Sequence, residues 1–389
     1  MLGFLILLVA IDYKVLATNA TTLIFIALAM SASTLAHTAS PFFLHSTLRV
    51  WREVACFSIL LLVYSTRFKY QFNSRSIRAV LACVAIAICI STILQFYFYT
   101  FLSSSIFFIP ETFYLAEFST LAANWAAFAK EHSLYIKIRP SSFFAEPSYL
   151  GFVSLSLLLI VLKLFSEDFK KSILILILLT SVALSQTTSG LLSFGLLLGV
   201  FYRRNIKTIH PFIVTALVLL APVYFLLFPI PEMLLRVFDI GDSQKELSGF
   251  IRLVLPFELI VKVWIHSPLG VPPDELASFL RQPAVRVFAN MFTVNYSGGF
   301  QVAGLDNAFL NFFIFYGMLG TTIVWTFIRR IQDRYLLFYL FLASFFNGGL
   351  LSFDKVVVIS TVFLITNNLK NGADDSDNGT VSTRTSAGC

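Results

Sequence analysis

Ile77-Arg-Ala-Val-Leu-Ala-Cys-Val-Ala-Ile-Ala-Ile-Cys-Ile-Ser-Thr-Ile-Leu-Gln-Phe-Tyr-Phe-Tyr-Thr100 carries no charge after Arg78. A bilayer core about 30 Å thick takes about 20 consecutive apolar residues to cross as a helix. This run is long enough. Similar runs fall at 2–17, 21–37, 53–66, 148–165, 172–186, 189–202, 211–229, 306–328, 335–350 and 355–367. Together they predict an all-α, polytopic integral membrane protein with about eleven transmembrane helices. Asp12 and Lys14 interrupt the first run, so the side on which the chain starts stays open.

Composition leads to the same class. Of the 389 residues, 57% are hydrophobic, 13% are charged and 43 are Phe, and the mean hydropathy is +0.82. A soluble domain carries about 25% charged residues, so a soluble enzyme is set aside. The balance of 28 Lys+Arg against 21 Asp+Glu gives a net charge of +7. In a membrane chain that excess belongs to cytoplasmic loops rather than to a nucleic-acid partner. Cys56, Cys83 and Cys89 lie in apolar runs and Cys389 ends the sequence, with no Cys-x-x-Cys pair. Neither a disulfide framework nor a zinc site is expected. The first apolar run has no basic residues before it, and no cleaved signal peptide is expected.

Basic residues then orient the chain. Arg67, Lys69, Arg75 and Arg78 crowd one connection, Lys170 and Lys171 a second, Arg203, Arg204 and Lys207 a third, and Arg329, Arg330 and Arg334 a fourth. These clusters recur at every second connection, as the positive-inside rule requires. They are expected in the cytoplasm, and the two long connections, about 101–147 and 230–305, on the opposite side. Residues 1–370 form the membrane domain. Residues 371–389, rich in Gly, Ser, Thr, Asp and Asn, are expected to be a disordered cytoplasmic tail.

The two outward loops hold the candidate chemistry. The first ends in Arg139-Pro-Ser-Ser-Phe-Phe-Ala-Glu146-Pro147-Ser-Tyr-Leu-Gly151. Pro147 suits the first position of a helix, where its missing N–H costs nothing. Glu146 then sits at a helix N-terminus, where the dipole favours a carboxylate. A helix cap and a reactive carboxylate are both open at this point. The second loop mixes Arg236, Lys245, Arg252, Lys262, His266, Arg281 and Arg286 with Phe, Trp and Leu. Phe250, Leu253, Val254, Phe257, Ile260, Val261 and Trp264 follow a helical period across 248–266. That segment reads as an amphipathic helix lying on the outer leaflet. Any single cation there can be plain surface charge, but Arg accumulating on the outward side runs against the positive-inside trend.

The segment from Arg139 to Gly151 resembles the "Arg…Phe-Phe-x-Glu-Pro-Ser" signature of bacterial polysaccharide repeat-unit polymerases, the Wzy group of the O-antigen polymerase/ligase superfamily. Other segments agree in order: Thr187-Thr188-Ser189-Gly190, Ser248-Gly249-Phe-Ile-Arg252, Ser267-Pro-Leu-Gly270, and Asp306-Asn307-Ala-Phe-Leu310 with Gly317 and Gly320. The resemblance covers roughly 135–325. Where the ligase branch usually has a histidine, this chain has Asp306, and His266 does not match that position. That departure tilts the resemblance toward polymerase.

The resemblance implies a metal-independent glycosyltransferase of the bacterial inner membrane with no cofactor and two periplasmic loops. Its substrates would be undecaprenyl-diphosphate-linked oligosaccharides, with the bilayer, a chain-length regulator and a flippase as partners. Arg139 and Arg252 would bind the diphosphate, and Glu146 would act as base or orient the acceptor. Asp306 and Asn307 would hold a sugar, with Arg236, Lys262 and His266 as further substrate-binding residues. The alternatives are an O-antigen ligase, which passes the chain to lipid A-core, and a lipid-linked oligosaccharide flippase. A transporter places charges inside its spans, whereas the sequence puts most of them in connections.

The charge pattern sets a first prediction. Reporter fusions at Arg75, Lys171, Arg204 and Arg330 are expected to score cytoplasmic, and those at Trp125 and Gln282 on the opposite side. A cytoplasmic Gln282 would put the second loop on the wrong side of the bilayer for this chemistry.

Overall fold

The computed structural model describes residues 13–38, 43–66, 74–102, 140–144, 147–165, 169–203, 255–272, 275–280, 282, 308–346 and 351–378. Among the described residues the regular structure is all helical. In chain order the helices are α1 (Tyr13–Leu35), α2 (Phe43–Ser65), α3 (Ser74–Phe101), α4 (Pro147–Leu164), α5 (Phe169–Leu184) and α6 (Thr188–Tyr202). They continue as α7 (Leu255–His266), α8 (Leu276–Leu280), α9 (Ala308–Phe315), α10 (Gly317–Arg330), α11 (Arg334–Ala343) and α12 (Phe353–Asn378). Three stretches, Lys14–Leu35, Arg75–Phe101 and Pro147–Leu164, are long and apolar enough to cross a membrane. Ser189–Tyr202 and Arg334–Ala343 are shorter apolar helices. The runs at 2–12 and 211–229 lie outside the described residues.

The chain divides into two compact units. One comprises Met1–Asn73, Leu234–Leu337 and Gly348–Cys389; the other comprises Ser74–Met233 and Phe338–Asn347. In the second unit α3 and α4 pack on α5, and α6 packs on α4. The patterning of α3 is inverted relative to a soluble helix. Val80, Val84, Ile90, Leu94, Tyr97 and Phe101 are exposed, while Ser91, Thr92 and Gln95 are buried. Leu81, Ala85, Ile88 and Cys89 share the buried side. Apolar residues thus face both ways while those polar residues face only inward, as hydrocarbon requires of groups that lipid cannot partner. The ends of two sequence motifs meet here. A Cβ built on Gly151 of α4 would lie 2.8 Å from the Phe346 ring and 3.4 Å from the Gly190 Cα of α6. Gly151 therefore serves a close crossing of α4 and α6, whereas a Cβ on Gly190 would meet the Thr187 hydroxyl and Val182 of α5.

Lys171, expected as a solvated cytoplasmic charge, is buried at 2% exposure. Its Nζ donates to the Leu162 carbonyl at 3.1 Å and lies 4.9 Å from the Phe201 ring centroid. The ammonium satisfies a carbonyl in the last turn of α4, where the helix dipole favours a cation.

In the first unit α1 and α12 pack on α2, and α7 packs on α9. Four boundaries differ from the sequence reading. Residues 13–35 form one unbroken helix, so the runs at 2–17 and 21–37 are not separate there. Helix α2 starts at Phe43 rather than near 53, which brings Arg49 and Arg52 into the helix with Glu53. The tail expected to begin at 371 is helical as far as Asn378. Once a helix is nucleated, each added residue gains a hydrogen bond, so α12 runs on into polar sequence.

The fourth difference is the largest. The run at 306–328 is two helices, broken at Tyr316 between α9 and α10. The turn after α7 splices the break. Trp264 Nε1 donates to Phe313 O at 3.1 Å, Val271 N to Ile314 O at 3.0 Å, and Met318 N to Pro268 O at 2.9 Å. Carbonyls at the end of α9 and an N–H at the start of α10 are thereby satisfied from another segment. Gly270 (φ +94) and Gly317 (φ +53) make this approach possible. A Cβ on Gly270 would fall 2.3 Å from Phe315 O, and one on Gly317 2.1 Å from Pro268 O.

Helix α7 also departs from the single apolar stripe. Leu259 and Val263 are buried in a core with Val271, Leu276, Phe279 and Ile314, whereas Phe257, Val261 and Ile265 are exposed. The helix thus carries two apolar faces, one docked on α9 and one left outward.

The splice yields a stability prediction. Gly317→Ala is expected to lower the thermal midpoint of the purified protein, since the left-handed backbone alone costs about 1–2 kcal/mol and the methyl meets a carbonyl. Gly199→Ala on α6, where a Cβ meets nothing within 4 Å, is expected to hold or raise it, Ala being favoured over Gly in a helix by about 1 kcal/mol. Equal midpoints would show that the splice contributes nothing.

Candidate functional site

Arg139, Glu146, Arg236, Arg252, Asp306 and Asn307 lie outside the described residues. The structure does describe the segment between the first two and the helix that follows it. Pro140 is buried, residues 141–144 turn back with Phe144 N donating to Ser141 O at 3.1 Å, and Pro147 opens α4 as expected. The Phe144 ring lies 5.3 Å from that of Tyr149. The motif segment thus closes onto the first turn of its own helix.

What holds it is Gln95 of α3, a residue the sequence reading passed over. Ser141 N and Ser142 N donate to Gln95 Oε1 at 2.9 and 2.7 Å, and Gln95 Nε2 donates to Ser142 O at 2.9 Å. Ser91 Oγ and Ser142 Oγ are hydrogen-bonded. Ser142 has φ +58, left-handed backbone that a non-glycine residue adopts at a cost of about 1–2 kcal/mol. The bonds from α3 offset that cost.

Lys262 and His266 are the two expected site residues that the structure describes. Both are on α7. Lys262 Nζ is 3.4 Å from Glu258 Oε1 one turn earlier, and His266 is exposed at the helix end.

A second polar group, also unforeseen, lies in the first unit beside the broken helix. Tyr316, buried at the break, donates its phenol O–H to Glu53 Oε2 at 2.7 Å, and Arg49 Nε is 3.7 Å from Glu53 Oε1. Nearby, the turn that splices the break carries Gly270 O, 3.3 Å from His37 Nε2. Arg49 and Arg52 thus place charge within helix α2, where the sequence reading put most charges in connections. One signal was available: Arg49 and Glu53 stand four residues apart, the spacing of an ion pair on a helix. Gln95 was equally visible as an amide inside a charge-free run, a position that marks function or tight structure in a membrane helix. Among the described residues, no three His, Cys, Asp or Glu side chains come together as a metal-binding group.

Long apolar helices with polar side chains turned inward define the class, an all-helical membrane protein. Compared with known protein families, with curated proteins and with solved structures, the chain matches none.

The node at the break can be measured directly. A hydrogen bond to a charged group contributes about 1.5–3 kcal/mol, so Tyr316→Phe and Glu53→Gln are each expected to destabilise the purified protein. Because both remove one interaction, the double variant is expected to fall short of the sum of the singles. Strict additivity would show that the phenol and the carboxylate act independently.

Proposed function

We propose that the chain polymerises undecaprenyl-diphosphate-linked oligosaccharide repeat units at the periplasmic face of a bacterial inner membrane. The observation that carries this reading is the Arg139–Gly151 motif, whose Pro140–Phe144 stretch is bonded to α3 and whose Pro147 opens α4. Ser141 and Ser142 are thus tied to α3, and Pro147 belongs to α4. A flexible surface linker needs no such arrangement. A site that must hold reacting groups in register does.

In the proposed reaction a hydroxyl oxygen on the terminal sugar of one repeat unit attacks the anomeric carbon of the chain carried by another. The new glycosidic C–O bond forms as the C–O bond to diphosphate breaks, and undecaprenyl diphosphate leaves with the electron pair. The hydroxyl proton goes to Glu146 as general base. Arg139 and Arg252 are assigned to the diphosphate, where a guanidinium stays charged and binds phosphate through two parallel bonds. Charge that grows on the leaving group is the kind of charge that fixed cations stabilise most. Asp306 and Asn307 are assigned to a sugar, and Arg236, Lys262 and His266 to the remaining substrate contacts. A chain-length regulator and a flippase are the implied partners.

A second reading, a flippase for lipid-linked oligosaccharides, draws support from the Arg49–Glu53–Tyr316 group beside an interrupted helix. Ionisable residues and broken helices together are features of transporter sites. Purified protein in vesicles separates the two readings, because a polymerase lengthens lipid-linked units and a flippase moves them across unchanged.

The site assignments are tested by substitution. Arg252→Lys keeps the charge but loses the planar fork, so the polymerisation rate is expected to fall roughly ten- to a hundredfold at normal protein levels. Glu146→Gln is expected to give stable protein and a single-repeat product. A full ladder of products from Glu146→Gln would return that residue to the role of a helix cap.

A further inference from the structure

We propose that the outward face of α2 near its start binds the phosphate of an anionic membrane lipid. Arg49 and Arg52 hold the phosphodiester, and Leu44, Leu48 and Trp51 take the acyl chains. Such binding goes beyond the polymerase reading and does not depend on it, because that reading gives none of these residues a role.

The first half of α2 separates into two stripes. His45, Arg49 and Arg52 recur at i, i+4 and i+7, and Leu44, Leu48 and Trp51 follow the same spacing one residue earlier. One residue turns the helix by about 100°, so the stripes lie side by side. Five of these six side chains are exposed, and Arg49 keeps 37% of its side-chain surface. A cationic edge beside an apolar one is the surface that complements a phosphate-bearing lipid. Tryptophan adds to the match, being enriched where head groups meet hydrocarbon.

Charge selects the occupant. Helix α2 has the 23-residue length of α1 and packs against it, and Lys14–Leu35 of α1 is long and apolar enough to cross a membrane. An arginine on the outward face of such a pair meets lipid, where an unmatched charge is costly. Glu53 takes up part of the charge, with Oε1 3.7 Å from Arg49 Nε. Arg49 and Arg52 against Glu53 leave one net positive charge, and Asp354 and Lys355, consecutive on the α12 that packs on α2, cancel each other. A phosphodiester carries one negative charge and completes the balance. Arg52 has no hydrogen-bond or ion-pair partner among the described residues. Its planar head can give two parallel N–H bonds to phosphate oxygens.

Depth agrees with a lipid head group. Arg49 and Arg52 leave the backbone about 9 and 14 Å from the start of α2. Helical side chains incline toward the N-terminal end, and the long arginine stem carries its charge further that way. Both heads thus approach the boundary of the apolar layer, the level of lipid phosphates. That end lies away from Arg329 and Arg330. Arg330 Nη2 donates to Thr22 Oγ1 of α1 at 2.9 Å, whereas His37, six residues before α2 begins, is 3.3 Å from Gly270 O beside the start of α10. Arginines at both ends depart from the one-sided placement usual in membrane chains, and the anion supplies a reason for the second pair.

The test uses the full-length protein purified in detergent and titrated with phosphatidylglycerol or zwitterionic phosphatidylcholine. Native mass spectrometry reads the bound lipid, and thermal midpoints of the lipid-free variants are measured in parallel. Wild type is expected to bind phosphatidylglycerol about tenfold more tightly than phosphatidylcholine. Arg52→Gln is expected to weaken phosphatidylglycerol roughly tenfold with an unchanged midpoint; Arg52→Met carries the same expectation and is the test if Arg52→Gln fails to accumulate. Leu48→Gln is expected to weaken both lipids. Lys14→Gln, which removes an exposed cation of α1, is expected to bind as wild type does.

Equal affinity for the two lipids, or full binding by the Arg52 variants, would overturn the phosphate site. A loss in Lys14→Gln equal to that in Arg52→Gln would reduce the effect to diffuse surface charge and overturn it as well. Displacement of phosphatidylglycerol by millimolar inorganic phosphate, or binding untouched by Leu48→Gln, would make the occupant a free anion and overturn the lipid assignment.

Discussion

A polar group taken out of water must find its partner within the chain, and most of this architecture follows from that requirement. In an apolar medium an unsatisfied N–H or C=O costs several kcal/mol, which is why helices dominate membrane interiors. Where the chain departs from a helix, another segment has to supply the missing bonds. The break at Tyr316 survives because the last turn of α7 and the turn after it deliver Trp264 Nε1, Val271 N and Pro268 O to the two exposed helix ends. The left-handed turn at Ser142 survives because Gln95 presents a donor and an acceptor together. Buried Lys171 follows the same rule, with the Leu162 carbonyl as its partner.

This requirement sorts the motif residues into two groups with different work. Gly151, Gly270 and Gly317 stand where backbone or ring atoms come too close for a Cβ, and Gly190 where the Thr187 side chain does. Their role is complete once the chain is folded. Arg139, Glu146 and Arg252 are the charged motif residues to which the proposed function assigns chemistry. Gln95 belongs to neither set and bonds the main chain of Ser141 and Ser142.

The same constraint explains why both unforeseen polar groups sit beside irregular backbone. A helix interior satisfies its own main chain and offers a buried side chain few partners. At a break or a loop, main-chain atoms and side chains are left seeking bonds at once. Glu53 meets Tyr316 at the break, and Gln95 meets Ser141 and Ser142 at the loop. Polar side chains in α2 and α3 therefore collect where another segment stops being helical.

The amino-acid sequence by itself determined the helical class, the course of α3, α4, α5 and α6 to within a few residues, and Pro147 as the start of α4. Each of these depends on a property summed over neighbouring residues: hydropathy across a span, or the missing N–H of one proline. Tertiary structure alone decided that 306–328 breaks at Tyr316, that α2 takes in Arg49, that Lys171 is buried, and that Gln95 holds the motif loop. Those outcomes depend on partners far along the chain. Ser142 is 47 positions from Gln95, and Glu53 is 263 positions from Tyr316. A local reading sums what each residue prefers, whereas the break and the clamp are stable only because a distant segment completes their hydrogen bonds.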